Sequence, residues 1–232
     1  MTKQVVFLTI GEAPREDIRT TFNRYFSRNP HIVQDGVLNG WNLEEAKTHV
    51  GVTPESTGTL TSRFLTGESI VMDGEKVEAV MQRKIDEWEE KGASIIVLLC
   101  TGSFPTLTTT HALLIEAEKV TLPYVRSMYP TTHVGVLVPL AEQVEETKTK
   151  WALGERGSFA SASPYAFTEE SFKQATQKLV EDQSEVIVLD CIGYSDEMTR
   201  FVQSVAPDAI IIQSNDVLFQ FVEYVINLEH VA

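Results

Sequence analysis

The sequence predicts an α/β protein in which two doubly wound parallel-sheet halves of pseudo-symmetric design face each other across a cleft. Three observations carry that reading. Short apolar, β-branched runs alternate with longer stretches of helical period, the pattern of βα units around a parallel sheet. The runs Ile95–Leu99, Val134–Val138 and Val186–Leu189 are apolar at nearly every position, so helices are expected on both faces of each sheet. Two strands also end alike, since Ile95-Ile-Val-Leu-Leu-Cys-Thr-Gly102 and Val186-Ile-Val-Leu-Asp-Cys-Ile-Gly193 both close on a cysteine, one residue and a glycine.

Taken along the chain, the first strand is expected at Val5–Ile10, followed by the turn Gly11-Glu-Ala-Pro-Arg15 and a helix over Arg15–Ser27. A strand at His31–Val37 and a helix at Leu43–Val50 come next. The stretch Thr53–Asp73 is rich in Thr, Gly and Ser and alternates at Ser69–Met72, which suggests an edge hairpin or a lid. Helical period returns at Glu75–Lys91, Ser94–Cys100 is the apolar strand of the first half, and a helix over Leu107–Glu118 brings that half to its end at residue 120. The second half, 121–213, holds strands at His133–Val138, Gly157–Ser161, Glu185–Cys191 and Ala209–Gln213. Its helices are expected at Leu140–Leu153, Thr168–Glu181 and Asp196–Val205, the last opened by Ser195 as N-cap. A final helix, Ser214–Leu228, begins at a residue of capping type, Ser214 or Asn215, and is expected to pack back on residues 1–120.

Composition narrows the function. A chain of 232 residues suits one large domain or two units of about 100 residues, and 43% hydrophobic with 22% charged residues is ordinary for a folded protein. The net charge of −14 and the scattered 19 Lys and Arg argue against nucleic acid or an anionic membrane as partner, because both need a basic face. No apolar run reaches the roughly 18 residues of a membrane span, and the run after Met1-Thr-Lys-Gln is too short for a signal peptide. Two cysteines are too few for a disulfide framework, so a reducing, cytoplasmic setting is expected. The five histidines, at positions 31, 49, 111, 133 and 230, have no metal-ligand spacing, and no phosphate-cradling glycine motif is present. Neither a metal nor another cofactor is expected.

The chemistry is expected at Cys100 and Cys191. Ligands of open parallel sheets bind beyond the carboxyl ends of the strands, where both cysteines stand. A free cysteine at a strand end is commonly a small buried hydrophobe, but the two share one local frame. The small residues after them, Thr101-Gly102-Ser103 and Gly193, let backbone N–H groups approach an anion, and a helix N-terminus there would lower a thiol's pKa. Gly11 and Arg15 could hold a carboxylate, against a bland reading of a tight turn with Pro14 opening the helix and Arg15 solvated. Asp190, within an apolar run, caps a loop amide, orients a neighbour or perturbs the thiol beside it. Ser103, Tyr194 and Asn215 are candidates by position.

The two-cysteine layout resembles the aspartate/glutamate/hydantoin racemase superfamily. More closely, Leu8-Thr-Ile-Gly-Glu-Ala-Pro-Arg15, Leu189-Asp-Cys-Ile-Gly-Tyr194 and Ser214-Asn-Asp resemble the AroM family across essentially the whole chain. The resemblance implies a racemase-like fold and a cofactor-independent racemase-like or isomerase-like reaction on a small carboxylate, an amino acid, a hydantoin or a related acid. Cys100 and Cys191 would be its acid/base pair, with Gly11, Arg15, Thr101, Gly102, Ser103, Gly193, Tyr194 and Asn215 binding substrate, in a homodimer. The turn Ile192-Gly193-Tyr194 lacks the Thr and acid or His that many amino-acid racemases carry there and is closer to the small-residue turns of hydantoin-type racemases. The alternatives are a non-catalytic metabolite-binding protein on the same fold and a thiol redox role, the latter disfavoured because a disulfide needs Cα atoms within about 7 Å.

Overall fold

A computed structural model describes residues 4–29 and 31–228; Met1-Thr-Lys and His230, mentioned above, lie outside that range. The first half builds a four-stranded parallel sheet from β1 (Gln4–Thr9), β2 (Ile32–Gly36), β5 (Ala93–Leu99) and β6 (Leu113–Glu116), in the order β2-β1-β5-β6. The second builds another from β7 (Val134–Val138), β8 (Gly157–Ser161), β9 (Val186–Leu189) and β10 (Ile210–Gln213), in the order β10-β9-β7-β8. Numbered within each half, both sheets run second, first, third, fourth. The repeated Cys-x-Gly frame therefore follows the third strand of each half, beside the first strand, where crossovers change direction.

Both sheets bury both faces, and the alternation of strand side chains explains how. In the first sheet Val6, Leu8, Ile96 and Leu98 meet Ala46 and Val50 of α2 (Leu43–Val50) and Val77, Met81 and Ile85 of α3 (Gly74–Glu90). Their neighbours Val5, Phe7, Ile95 and Val97 point the other way, onto Phe22 and Phe26 of α1 (Arg19–Phe26) and Phe219 and Val222 of α8 (Ser214–Leu228). In the second sheet Leu137, Ile187 and Leu189 pack on Phe172 and Leu179 of α6 (Glu169–Glu181) and Val202 of α7 (Asp196–Val205). Val134, Val136 and Val188 pack on Val125 of α4 (Ala117–Met128) and Trp151 of α5 (Val144–Trp151). The two helices that follow the fourth strands join the halves: α4 places Ala117 in the core of the first sheet and Val125 in that of the second, while α8 packs mainly under the first sheet.

The expected helix at Leu107–Glu118 is corrected. Residues 107–112 form a loop, and Leu113–Glu116 is β6, paired in parallel with Ile95–Leu98. Leu, Ala, Ile and Glu favour a helix locally, but the open edge of β5 offers a complete ladder of backbone hydrogen bonds and wins. The helix starts ten residues later than expected and carries Pro123 within it, so the residue-120 division falls inside α4. Within the stretch 53–73, residues 59–73 form an antiparallel hairpin of their own, β3 (Thr59–Arg63) with β4 (Ser69–Asp73). Among the described residues no helix is long and apolar enough to cross a membrane.

Candidate functional site

Cys100 lies one residue beyond β5, and Cys191 two beyond β9. Both are free thiols, buried, and both line one cleft between the halves, a cavity of about 60 Å³. That is several times the roughly 10–15 Å³ that admits one water, and it suits a small ligand. Arg15, Thr101, Gly102 and Ser103 join the thiols on its wall, as do Lys150, Tyr165, Asp190 and residues 59–61 of the hairpin.

The repeated Cys-x-Gly frame has a structural cause. The Gly102 N–H donates to Cys100 Sγ at 3.3 Å, and the Gly193 N–H donates to Cys191 Sγ at 3.4 Å. Each thiol thus has its own backbone donor, aimed where a thiolate's charge would sit. Close approach explains the glycines: a Cβ at Gly102 would lie 2.8 Å from Leu60 of the hairpin, and one at Gly193 would lie 2.8 Å from the Tyr165 hydroxyl.

The expected lowering of the thiol pKa by a helix N-terminus is corrected. A loop follows Cys100, and α7 starts only at Asp196, capped by Ser195, whose Oγ accepts from the Met198 N–H. Burial dominates instead. It pushes Cys100 up to about 12, opposed by the Gly102 N–H, while a charge on Cys191 raises Cys100 further. Burial also raises Cys191, against the Gly193 N–H, the Arg15 charge and the Tyr165 hydroxyl.

Two cations reach the cleft, Arg15 buried and Lys150 nearly so. Arg15 is only 3% exposed, which overturns its solvated reading. Its Nε and one terminal nitrogen donate to the two Asp17 oxygens at 2.9 and 2.7 Å; its other terminal nitrogen donates to Thr9 Oγ1 at 3.0 Å. Lys150 Nζ donates to Asp190 Oδ2 at 2.6 Å and to the Thr101 carbonyl at 3.0 Å. Trp151 Nε1 donates to the same Asp190 oxygen at 2.7 Å, so Asp190 binds these two side chains and does not cap a loop amide. Thr101 Oγ1 in turn donates to the Asp190 carbonyl at 3.0 Å. The residue after one cysteine and the residue before the other are joined.

Four expected ligand contacts are placed elsewhere. Tyr194 is fully buried and donates to the Ala162 carbonyl at 2.8 Å, which makes it a core residue. Asn215 is also buried: its amide donates to the carbonyls of Ile192 at 2.7 Å and Tyr194 at 2.9 Å, shaping the turn after Cys191, and it is not a helix cap. Gly193 acts through its N–H on sulfur rather than from the cleft wall. Gly11 packs against the hairpin, where a Cβ would fall 2.3 Å from Ser62 Oγ.

Sequence reasoning overlooked Lys150 and Tyr165. A carboxylate in an apolar run needs a buried cation, so Asp190 was a signal for Lys150. Tyr165, in a single 3₁₀ turn, gave none. Its hydroxyl lies 3.8 Å from Cys191 Sγ and accepts from Arg15 at 3.4 Å.

With this geometry in view, comparison with known proteins is decisive at family level. The model of the family described as AroM protein matches residues 5–225. The chain belongs to the AroM family. No curated protein matches it. Among solved structures, this AroM-family chain is similar to glutamate racemase from Bacillus anthracis, with TM-score 0.62 and 13% identity over 98% of this chain and 82% of that one. It is similar to allantoin racemase from Pseudomonas fluorescens, with TM-score 0.60 and 10% identity over 97% and 92%. A liganded double mutant of arylmalonate decarboxylase gives TM-score 0.61 and 13% identity over 97% and 93%. At such identities the likeness establishes the fold, which is racemase-like.

Proposed function

We propose that this AroM-family protein is a cofactor-independent racemase-like or isomerase-like enzyme that acts on a small carboxylate, an amino acid, a hydantoin or a related acid. Cys100 and Cys191 are its acid/base pair. The observation that carries this reading is the pair itself: two thiols at equivalent positions of two halves, on one small cleft, each with a glycine N–H on its sulfur. A binding protein has no need of matched proton carriers. Two free thiols also suit a reducing, cytoplasmic setting.

The step balances without a redox partner. One sulfur, as thiolate, takes the α-proton and becomes a thiol; the electron pair left on carbon spreads into the carboxylate. The opposite thiol then gives its proton to the other face of that carbon and is left as thiolate. Burial raises both thiols, which makes either thiolate a stronger base toward a weakly acidic carbon. The Thr101–Ser103 turn, Lys150 and Arg15 are the groups on the wall suited to the substrate's anionic end. Each cation already holds a carboxylate, which fixes its position before substrate arrives.

Incubation in D₂O with amino acids, hydantoins and small diacids, followed by NMR at the α-proton, tests the proposal. Loss of the α-proton signal for a member of the panel supports it. Tight binding of a carboxylate with no exchange on any member would replace it with a carrier role.

A further inference from the structure

We infer that Tyr165 is a positioning residue that makes Cys191 the resting proton acceptor of the pair and leaves Cys100 the resting donor. The inference rests on the acid/base reading of the two thiols and adds a direction to it. The halves are alike in fold but not in what surrounds their sulfurs. On the second side, Asp17 grips the Arg15 guanidinium through two hydrogen bonds and Thr9 holds it through a third. Thus fixed, Arg15 donates to Tyr165 Oη at 3.4 Å, occupying a lone pair of that oxygen and leaving its proton free for Cys191 Sγ at 3.8 Å. A thiolate at Cys191 then has two donors, the Gly193 N–H and the Tyr165 hydroxyl, with a buried cation directly behind the second. Hydrogen bonds and opposite charge both favour the ionised form.

Cys100 has the Gly102 N–H and, among the described residues, no counterpart of Tyr165. Over its glycine sits a leucine methyl of the hairpin, Leu60 Cδ2, where the other half has a phenol. The cation on its side, Lys150, is committed to the Asp190 carboxylate and the Thr101 carbonyl. The charged and titratable groups around the pair support the same order. Cys100 feels Lys150, Arg15 and the other thiol; Cys191 feels Arg15, Tyr165, Tyr194 and Asp190, whose charge Lys150 offsets. Glu118 acts on Lys150. Gly193 belongs to the device as well, because any Cβ there would push the Tyr165 ring aside.

The consequence is stereochemical. The resting enzyme is loaded for the enantiomer whose α-hydrogen faces Cys191. The opposite enantiomer reacts only from the form in which the two thiols have exchanged protonation states.

NMR titration of the full chain carrying ¹³Cβ-labelled cysteine, with the two resonances assigned by Cys100→Ser and Cys191→Ser, tests the inference without a substrate. Cys191 is expected to ionise at least about one pH unit below Cys100, a tenfold difference, and the interaction between the sites widens the gap. Tyr165→Phe keeps the ring and removes the hydroxyl; it is expected to raise the Cys191 midpoint by about one unit and leave Cys100 in place. Gly193→Ala, which displaces the ring, gives an independent variant with the same expected direction. Ionisation of Cys100 first, coincident midpoints, or a Cys191 midpoint unmoved in Tyr165→Phe would overturn it. The readout is separate from exchange chemistry: an enzyme that exchanges α-protons with the order reversed refutes this inference alone, and the expected order in a protein that exchanges nothing refutes the function alone.

Discussion

Lys150 Nζ lies 2.6 Å from Asp190 Oδ2, and both side chains are nearly enclosed, at 13% and 3% exposure. Because the same ammonium also binds the Thr101 carbonyl, one charge ties the turn after Cys100 to the residue before Cys191. Lys150→Met leaves Asp190 ionised with Trp151 as its remaining side-chain donor. Stranding a buried charge in this way costs about 3–5 kcal/mol, and urea denaturation at pH 7 should register a loss of that order. Lys150→Met with Asp190→Asn should recover much of it, since no charge is then left unpaired.

Alkaline pH should weaken the fold through the thiols. Burial holds Cys100 at about 12 against an ordinary 9.0. Below pH 9 the folded and unfolded chains both keep the proton; between about 9 and 12 the unfolded chain releases it first, so stability falls as pH rises. Three pH units correspond to about 4 kcal/mol at most. Cys191, raised in the same direction, adds to the loss. So does Lys150: burial alone would lower its ammonium, but Asp190 raises it overall, and that contribution disappears as pH climbs through the raised value. Cys100→Ser should flatten the decline measured by urea denaturation from pH 8 to 11.

The loop after Cys100 depends on Glu89. Its carboxylate accepts from the backbone N–H groups of Thr110, His111 and Ala112, between 2.7 and 3.0 Å. Burial would raise this carboxyl, but the three donors hold it below its ordinary 4.5. Its contribution is therefore present above that pH and is lost as pH falls through the depressed value. Glu89→Gln is expected to cost about 1–3 kcal/mol at pH 7 and to lose less stability than the parent between pH 5 and 3.

The hairpin roofs the cleft, and one hydrogen bond ties it to the second half: Gln143 Nε2 donates to the Thr59 carbonyl at 2.9 Å. A neutral bond of this kind contributes about 1 kcal/mol, roughly fivefold in an opening equilibrium. Gln143→Ala should therefore speed iodoacetamide modification of Cys100 about fivefold at constant pH. Reactivity unchanged from the parent would show that the hairpin does not control access.

Much of this architecture is legible in the residues. β5, β7 and β9 announce themselves because a strand covered on both faces has no polar side to hide. The pairing of Cys100 with Cys191 was readable because a repeated frame survives in both halves. What escaped were contacts made only by the fold. The segment 107–118 reads as helix until the open edge of β5 is known. Lys150 looks like the basic end of an exposed helix until Asp190, forty residues away, turns out to face it. Tyr165 carries no local signature at all; its meaning comes from Gly193 leaving room for its ring.

The most direct test of the two-thiol reading is α-proton exchange in D₂O with each single serine variant and the double variant, on whichever carboxylate the parent exchanges. The expected result is inversion by the parent, loss of inversion in both Cys100→Ser and Cys191→Ser, and loss of all exchange when the two are combined. Exchange or inversion that survives in the double variant would contradict it.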